Sequence, residues 1–582
     1  MNELKKLNKY LYKYRYKLLA GLLITIVSRI FSLVTPRLVG DSITSIENYI
    51  SNNSMIVEDL RETLLINITI IIGASLIAGF FTFLMRQTII NVSRYIEFDV
   101  KNEIFSHYQT LDQDFYKKNR TGDLMNRISE DVSRTRMYFG PVLMYGTNAV
   151  VLFIVIISYM FTIEPNLTLY TLIPLPLLSI IIYKISNIIN IKSTKVQESL
   201  SNLSSHSQQS FSGISILKSF NIQKIIYNQF DKLSYLSFKN NLSLAKVQAW
   251  FFPLIIFLIG LSNLIVIYIG GNLYINGIIE IGVVAEFLIY VNMLTWPVTL
   301  VGWVTATIKQ AEASQKRINE FLNEKSAVKD GVKGFNIDEV FNIEFKNVDF
   351  TYKKTGIKIF ESFSLKINKG EKLGIIGNIG SGKTTLLDLI SRIYDPDKGI
   401  VFFDNNDIKD YKTEDIRSKI SYVPQNNFLF SDSIEKNIAF GNINASQNDI
   451  IKASKRAEIH TEIEKFKNGY KTVLGERGVT LSGGQVQRVS ISRAFLKDAS
   501  VFLFDDCFSS LDSDTEEKLI LNLNSSFQDK TIVISTHRLS CLRYSDRIIV
   551  LDHGKIIQEG NHSKLIQIEG YYKDLYYKQM KE

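Results

Sequence analysis

A glycine-rich segment with a single lysine is the part of this sequence whose chemistry is easiest to interpret. It lies between an apolar run at 372–376 and an amphipathic run at 385–393, which predicts a loop that joins a strand to a helix. Its glycines allow backbone N–H groups to surround phosphate oxygens, Lys383 supplies a positive charge, and the Thr384 hydroxyl can hold Mg²⁺. The segment reads Gly377-Asn378-Ile379-Gly380-Ser381-Gly382-Lys383-Thr384. This spacing predicts a phosphate-binding loop (P-loop) for a nucleoside triphosphate.

A second motif, about a hundred residues downstream, narrows this prediction. It reads Leu481-Ser482-Gly483-Gly484-Gln485. A P-loop followed by this LSGGQ motif resembles the ATP-binding-cassette (ABC) ATPases. In that family, each ATP site joins the P-loop of one chain to the LSGGQ motif of another. The resemblance implies that ATP is bound by Tyr352, Gly377, Asn378, Gly380, Ser381, Gly382, Lys383, Thr384, Thr385, Ser482, Gly484 and Gln485.

The remaining cassette motifs occur in the family's order, and the resemblance implies a role for each. Tyr352 is expected to stack on adenine, Gln425 to respond to the γ-phosphate and Mg²⁺, and His537 to contact the γ-phosphate. The apolar strand-like run 501–504 ends in Asp505, which is expected to bind Mg²⁺ through water, with Thr384 and Gln425 as the other metal-site residues. Any one of these residues alone is more often an ordinary surface or core group. Their order along the chain therefore carries the prediction.

Three residues are expected to act in catalysis, namely Asp506, His537 and Gln425. Two loops complete the resemblance: Ser510-Leu511-Asp512 resembles the loop that follows the catalytic carboxylates, and Gly475-Glu476-Arg477-Gly478 resembles an exporter-type loop that touches the partner's coupling helices.

Asp506 departs from the family pattern. Most active cassettes carry glutamate at this position, where it polarises the attacking water, and aspartate is shorter by one C–C bond of about 1.5 Å. A displacement of about 1 Å in a catalytic group can reduce the rate on the order of 100-fold. We therefore expect this chain's own P-loop site to be slow, and its LSGGQ motif to complete a fast site on a different partner chain. The alternative is a homodimer in which Asp506 works adequately.

Six apolar stretches in the first half are long enough to cross a bilayer core of about 30 Å. They are 18–39, 64–85, 141–163, 167–183, 250–275 and 283–304. The second to fifth of them contain no Asp, Glu, Lys or Arg, whereas a soluble helix of that length would need a polar face. The pattern predicts a multi-pass membrane domain.

Lysine and arginine are concentrated on one side of these stretches. The arm 1–17 carries six, the segment between the second and third stretches nine, and that between the fourth and fifth eight, against only Arg61 in the three opposite segments. By the positive-inside rule, both termini and the cassette are cytoplasmic, in a plasma membrane. This asymmetry accounts for the net charge of +9, so a nucleic-acid partner is not needed. The arm itself, basic with interleaved Tyr and Leu, is predicted to contact membrane lipid as an interfacial helix.

Six apolar stretches with two long cytoplasmic loops resemble the exporter-type ABC half-transporter, whose loops carry coupling helices that dock on the cassettes. Residues 115–124 resemble the first coupling region, and residues 212–220 resemble the segment near the second. The predicted fold class is a membrane α-helical domain of six transmembrane helices, followed by an α/β P-loop ATPase domain. The predicted domains are a transmembrane domain (1–320), a linker (321–340) and an ATP-binding cassette (341–582).

Two charged residues, Arg29 and Glu286, lie inside predicted spans, where charge is costly and usually faces a cavity or a partner. Glu286, Tyr290, Met293 and Pro297 share a helix face, which either lines a substrate path or packs against a neighbouring helix. We expect ATP-driven export of small amphipathic or drug-like compounds. A peptide or lipid exporter, a siderophore-type importer on the same fold, and a regulatory or channel-like ABC protein are the alternatives.

Overall fold

The computed structural model describes residues 3–51, 57–334, 341–475 and 481–581, so part of the predicted linker lies outside it. The chain divides into two compact units. One contains Met1–Gln109 and Gly122–Glu324, and the other contains Thr110–Thr121 and Lys325–Glu582. A short segment of the connection between the second and third predicted spans therefore belongs with the C-terminal half of the chain.

The first unit is helical, as expected for apolar segments that must satisfy every backbone N–H and C=O internally when surrounded by lipid. A 3₁₀ turn at Glu3–Leu7 precedes the first helix, and π-helical turns occupy Arg127–Asp131 and Tyr138–Val142. The helices up to residue 322 are α1 Asn8–Lys13, α2 Arg15–Ser32, α3 Val34–Ser51, α4 Val57–Thr110, α5 Gln113–Lys118, α6 Thr121–Asn126, α7 Val132–Met137, α8 Leu143–Ile163, α9 Pro165–Leu172, α10 Pro174–Ser212, α11 Ile214–Ser219, α12 Gln223–Ile275 and α13 Ile281–Leu322.

Five helical segments of the described chain are long and apolar enough to cross a membrane. They are Arg15–Ser51, Val57–Thr110, Thr121–Ile163, Gln223–Ile275 and Ile281–Leu322. The fourth predicted stretch, 167–183, is not among them; it is divided between α9 and α10 at Ile173. Pro174 is the first residue of α10, and proline lacks the N–H that would continue a helix from the preceding turn.

Helices α3 and α13 approach each other closely where both carry glycine. A Cβ atom added to Gly282 would lie 2.2 Å from the backbone oxygen of Gly40, and the Gly282 N–H donates to Thr44 Oγ1 at 3.2 Å. One turn along α13, Glu286 is buried and accepts a hydrogen bond of 2.7 Å from the Tyr290 hydroxyl. The face that carries Glu286 and Tyr290 therefore packs against neighbouring helices in this conformation.

Arg29, the other charged residue in a predicted span, donates from Nε to Asn148 Oδ1 at 2.6 Å. Its charge is thus held by a polar side chain of α8.

The N-terminal arm contacts α13 through the turn Glu3–Leu7, and it contacts α4 through Lys9 and Lys13. Leu4, Leu7 and Tyr10 are buried, while Lys9 pairs with Glu103 at 2.5 Å and Lys13 pairs with Asp99 at 2.7 Å. Exposed ion pairs of this kind contribute about 0–1 kcal/mol each, so the buried apolar side chains contribute more to holding the arm.

The second unit is an α/β domain with two sheets. A four-stranded sheet has the order β2-β1-β4-β5, and a six-stranded sheet has the order β10-β9-β3-β8-β7-β6. The strands are β1 Ile343–Tyr352, β2 Ile357–Ile367, β3 Lys372–Gly377, β4 Lys398–Phe403, β5 Asn406–Asp407, β6 Ile420–Val423, β7 Val501–Asp505, β8 Thr531–Ser535, β9 Arg547–Asp552 and β10 Lys555–Gly560. Every residue of β7 and β8 is buried, as is usual for parallel strands covered on both faces.

Helices surround these sheets and bring loops to the carboxyl ends of the parallel strands, where α/β sheets bind ligands. They are α14 Lys383–Ile390, α15 Thr413–Ser418, α16 Ile434–Ala439, α17 Gln447–Arg456, α18 His460–Lys465, α19 Gly483–Leu496, α20 Ser513–Ser526, α21 His562–Gln567 and α22 Tyr571–Lys581. Short 3₁₀ turns occupy Ile408–Asp410, Gly469–Lys471 and Ser540–Leu542.

Candidate active site

The P-loop joins β3 to α14, as predicted, and at two of its glycines a residue with a Cβ atom would clash with the surrounding protein. A Cβ on Gly377 would lie 2.0 Å from the backbone oxygen of Leu551. Gly382 has a φ of 107°, and its Cβ would lie 2.9 Å from Ile359 Cγ2. Because side chains are excluded at both positions, the loop backbone can approach a phosphate group closely.

Lys383 lies at the N-terminus of α14 and is only 7% exposed. Its ammonium donates to the backbone oxygens of Gly377 and Asn378 at 2.8 and 2.9 Å. Burial lowers the pKa of Lys383, and the charges of Asp506 and Asp505 oppose that shift. A buried cation whose hydrogen bonds within the described part of the chain go to loop carbonyls suits an anionic ligand such as a phosphate chain.

Asp505 ends β7, directly opposite Ser535 at the end of β8. The Ser535 hydroxyl donates to Asp505 Oδ1 at 2.9 Å, while Oδ2 is buried and makes no geometric hydrogen bond to the residues that the structure describes. Burial raises the pKa of Asp505, and the hydroxyls of Thr384 and Ser535 act in the opposite direction. A buried carboxylate beside a threonine hydroxyl fits the oxygen ligands that Mg²⁺ prefers.

Asp506 follows in a left-handed backbone conformation, with a φ of 45°. Its N–H donates to the Ser535 carbonyl at 2.8 Å, which fixes the backbone at this point. Its Oδ2 lies 3.5 Å from Gln425 Nε2, and its Oδ1 is buried with no hydrogen-bond partner among the described residues. The side chain thus has one weak contact and one oxygen available for a water or a cation.

His537 lies two residues beyond β8 and is influenced by the same charged groups. Burial and the Lys383 charge lower the pKa of His537, while Asp506 and Asp505 raise it. The neutral imidazole is therefore favoured near neutral pH, which allows one ring nitrogen to donate and the other to accept. Gln579 Nε2 donates to the His537 carbonyl at 2.7 Å and holds this loop to α22.

Tyr352, the last residue of β1, contacts α14, the helix that follows the P-loop. Its hydroxyl lies 3.0 Å from Thr385 Oγ1. From α22, the Tyr571 hydroxyl donates to Asn378 Oδ1 at 3.2 Å. The Ser381 hydroxyl is buried without a partner and is therefore available to a ligand. Side chains from β1 and α22 thus border the P-loop.

Ser482 and Gln485 lie apart from this cluster, at the N-terminus of α19. The Gln485 N–H donates to Ser482 Oγ at 3.3 Å, and the Ser482 N–H donates to Gln485 Oε1 at 2.9 Å, which forms a capping box. Gln485 Nε2 also donates to Glu462 at 2.8 Å, and the Ser510 carbonyl would lie 3.1 Å from a Cβ on Gly484. These contacts join LSGGQ to its own helix, to α18 and to the loop 510–512.

Sequence reasoning missed Ser535 and Glu462. Ser535 ends a strand next to the Asp505 strand, so parallel register could have identified it. Glu462 is far from LSGGQ in the chain, and no local signal marks it. Glu476, Arg477 and Gly478 of the predicted partner-facing loop lie outside the described residues.

Two family descriptions match this chain. The ABC transporter transmembrane region matches residues 18–298, and the ABC transporter domain matches residues 360–509. The multidrug resistance-like ATP-binding protein MdlA of Buchnera aphidicola (subspecies Schizaphis graminum) is 35% identical over 514 residues, which cover 88% of each chain. The chain belongs to the ABC transporter family. MdlA of Escherichia coli K12 is 30% identical over 559 residues, covering 96% of this chain and 93% of its own.

The fold of this ABC transporter is similar to a solved bacterial Atm1-family ABC exporter with ATP bound. The TM-score is 0.80 at 21% identity, covering 97% of this chain and 98% of the other. The predicted fold class, a helical membrane domain followed by an α/β nucleotide-binding domain, is confirmed. The protein is a multi-pass membrane protein with ABC exporter activity, which binds ATP and couples its hydrolysis to transport.

Proposed function

We propose that this chain is one half of a heterodimeric exporter that moves small amphipathic or drug-like compounds outward across the plasma membrane. Both termini and the cassette lie in the cytoplasm. The names of its relatives support the substrate class, since the two MdlA proteins are described as multidrug resistance-like. The concentration of Lys and Arg on one side of the spans supports the orientation.

The surroundings of Asp506 carry the proposal of two unequal ATP sites. Its carboxylate reaches Gln425 only at 3.5 Å, and its second oxygen has no partner. Glutamate would extend the carboxylate by about 1.5 Å toward an attacking water. The chain's own P-loop site is therefore slow. It would still bind Mg²⁺ through Asp505, Thr384 and Gln425, and the charge of the metal ion would offset that of the phosphates.

The half-site that this chain provides to its partner is complete. The Ser482 hydroxyl accepts the Gln485 N–H, so its own proton is available to donate to a γ-phosphate. Gly484 leaves room for close approach. The strand-ending aspartate, Asp505 in this chain, is the Walker B aspartate. A partner that carries glutamate after its own Walker B aspartate would form a fast site with these residues.

The second cytoplasmic loop supports assembly with another chain. Its tip, α11, has no buried residue, and Phe211 and Phe220 on either side are 75% and 74% exposed. Two phenylalanine side chains that are about three-quarters exposed at the end of a loop favour a surface that contacts another protein. We assign this tip to the cassette of the partner chain.

The cassette in turn has a groove that suits such a helix. The groove has a volume of about 340 Å³ and includes Phe430, Phe440 and Arg493 in its lining. Phe430 and Phe440 stack with centroids 4.7 Å apart, and the Arg493 guanidinium lies 5.6 Å from the Phe440 ring. Phe440 is nevertheless 59% exposed, so it is available to an apolar helix of the partner.

Co-expression with candidate half-transporters tests the proposal. A second chain with a Walker B glutamate, encoded next to this one, should co-purify with it. The pair should accumulate a fluorescent amphipathic dye inside inverted vesicles when ATP is added, whereas this chain alone should hydrolyse ATP weakly. If the chain alone hydrolyses ATP and transports dye as fast as any pair, the heterodimer proposal is wrong. Dye loss from preloaded inverted vesicles would indicate import instead.

A further inference from the structure

The first cytoplasmic loop contacts the cassette through an ordered set of bonds. Its segment Thr110–Thr121 belongs to the same compact unit as the cassette. Helix α5 in this segment is capped by Asp112, whose Oδ1 accepts the Phe115 N–H at 3.1 Å. The other oxygen of Asp112 accepts the N–H of Ala327, and Phe115 is buried. The helix thus has a defined position on the cassette.

Lys117, in α5, lies beside Tyr352, the side chain that is predicted to stack on adenine. Its ammonium lies 5.1 Å from the ring centroid of Tyr352 and 5.2 Å from that of Tyr394. The two rings meet edge to face, with centroids 5.7 Å apart. The Lys117 carbonyl accepts a hydrogen bond of 2.6 Å from Lys354, which holds the end of the helix in place. These distances are those of a cation held by two aromatic faces.

A buried carboxylate completes the surroundings of the Lys117 ammonium. Asp388, on α14, is 7% exposed and accepts a hydrogen bond of 3.2 Å from the Tyr422 hydroxyl. Burial raises the pKa of Asp388 to about 6, and the Lys117 charge is the largest influence in the opposite direction. Tyr394 also has a buried hydroxyl without a partner. A cation at this position is therefore favoured both by the rings and by a carboxylate that lacks solvent.

Tyr352 is the side chain that these contacts share. Its hydroxyl lies beside Thr385, the residue after the phosphate-binding Thr384, and its ring contacts Lys117. The ring is thus fixed at one end by the P-loop helix and on its surface by the coupling helix.

We infer that Lys117 is a positioning residue for Tyr352, and that through this ring the binding of adenine is linked to the docking of the first coupling helix. The inference depends on the proposed role of Tyr352 in stacking on adenine. Linkage is reciprocal: if Lys117 orders the ring for adenine, adenine also strengthens the attachment of α5. The contact between Lys117 and Tyr352 then depends on the adenine base of ATP and not on its phosphate chain.

The test compares nucleotide affinities in the full-length chain held in lipid nanodiscs. Lys117→Met should weaken ATP binding about 2- to 5-fold, because it removes the cation from the ring. Binding of inorganic triphosphate, which has no base, should not change. Lys117→Arg should restore ATP affinity, since guanidinium also binds aromatic faces. Lys117 and Lys118 are both exposed, so Lys118→Met is the matched control and should behave as wild type.

A loss of affinity that is equal for ATP and triphosphate would overturn the inference, because it would show a general structural effect. So would a Lys117→Met chain with the ATP affinity of the Lys118→Met control; Lys117→Gln repeats the test if the methionine variant does not fold.

Tyr352→Leu separates this inference from the proposed role of the tyrosine. If Tyr352→Leu leaves ATP affinity unchanged, the adenine role itself is wrong. If it weakens ATP binding while Lys117→Met does not, only the role of Lys117 is wrong. If both weaken it, the double variant should be no worse than Tyr352→Leu alone, since the lysine acts through the ring.

Discussion

Replacing Asp506 with glutamate tests whether the aspartate carboxylate is too short to activate the attacking water. In the present structure Asp506 Oδ2 lies 3.5 Å from Gln425 Nε2 and Oδ1 has no partner, so the side chain is not held by a strong bond that a longer one would break. Glutamate adds about 1.5 Å of reach. Because a displacement of about 1 Å can reduce a catalysed rate on the order of 100-fold, we expect Asp506→Glu to raise kcat of the chain alone about 10- to 100-fold. That gain corresponds to about 1.4–2.7 kcal/mol of activation free energy.

The assay is phosphate release from the purified chain in lipid nanodiscs, at saturating ATP with Mg²⁺. KM should change little, since Lys383 and Ser482, which are predicted to bind phosphate, are untouched. Asp498→Glu is the control, because the Asp498 side chain is fully exposed and the substitution adds the same methylene group. It should leave kcat unchanged.

Two further variants in the heterodimer decide between a weak base and a working one. Asp506→Asn should cost little turnover, whereas Ser482→Arg should remove most of it by obstructing the γ-phosphate at the partner's site. If Asp506→Asn stops turnover as completely as Ser482→Arg does, Asp506 is a working base. The reasoning from side-chain length would then be refuted.

Three other expectations follow from the sequence and the cassette. Lys383→Ala should abolish tight ATP binding at this chain's site, measured with the partner site blocked; unchanged affinity would refute the P-loop assignment. Single cysteines in the segment 48–54 should react with impermeant thiol reagents added outside intact cells, and a cysteine at Asn119 should not; the reverse labelling would overturn the orientation. Burial raises the pKa of Asp388 from 3.8 to about 6, so the stability of the protein falls as pH rises through this interval, because the folded state favours the protonated acid. Asp388→Asn should therefore gain stability relative to wild type above about pH 6, by at most about 3 kcal/mol in thermal unfolding. A difference that does not vary with pH would contradict this reasoning.

Local patterns predicted the parts of the cassette that depend on local geometry. The P-loop lies between β3 and α14, and Asp505 ends a buried strand, because an apolar run followed by glycines or a carboxylate specifies a strand and its end. The break at Ile173 was not predicted, since the apolar run continues through Pro174 and hides it from a hydropathy count.

Contacts between distant parts of the chain were not predictable in the same way. Nothing around Lys117 indicates that it lies over Tyr352, because the two residues are joined by tertiary packing and share no sequence pattern. The same is true of Gly282 and Gly40, whose close approach depends on the crossing of α13 with α3. The resemblance to a family supplied what single-residue chemistry could not, namely which polar residues belong to one site.

The bonds around the LSGGQ serine have a consequence for how paired genes diverge. Ser482 and Gln485 cap α19 reciprocally, and Glu462 holds Gln485 in place. Asp506 is positioned by other groups, chiefly the backbone of Ser535. In the proposed heterodimer, a substitution at position 506 would therefore leave the donated half-site unchanged, and selection on the fast site would preserve Ser482 while position 506 changes. After a gene duplication, one copy can lose its catalytic carboxylate and still be retained, because the ATP site of the other copy needs its LSGGQ motif.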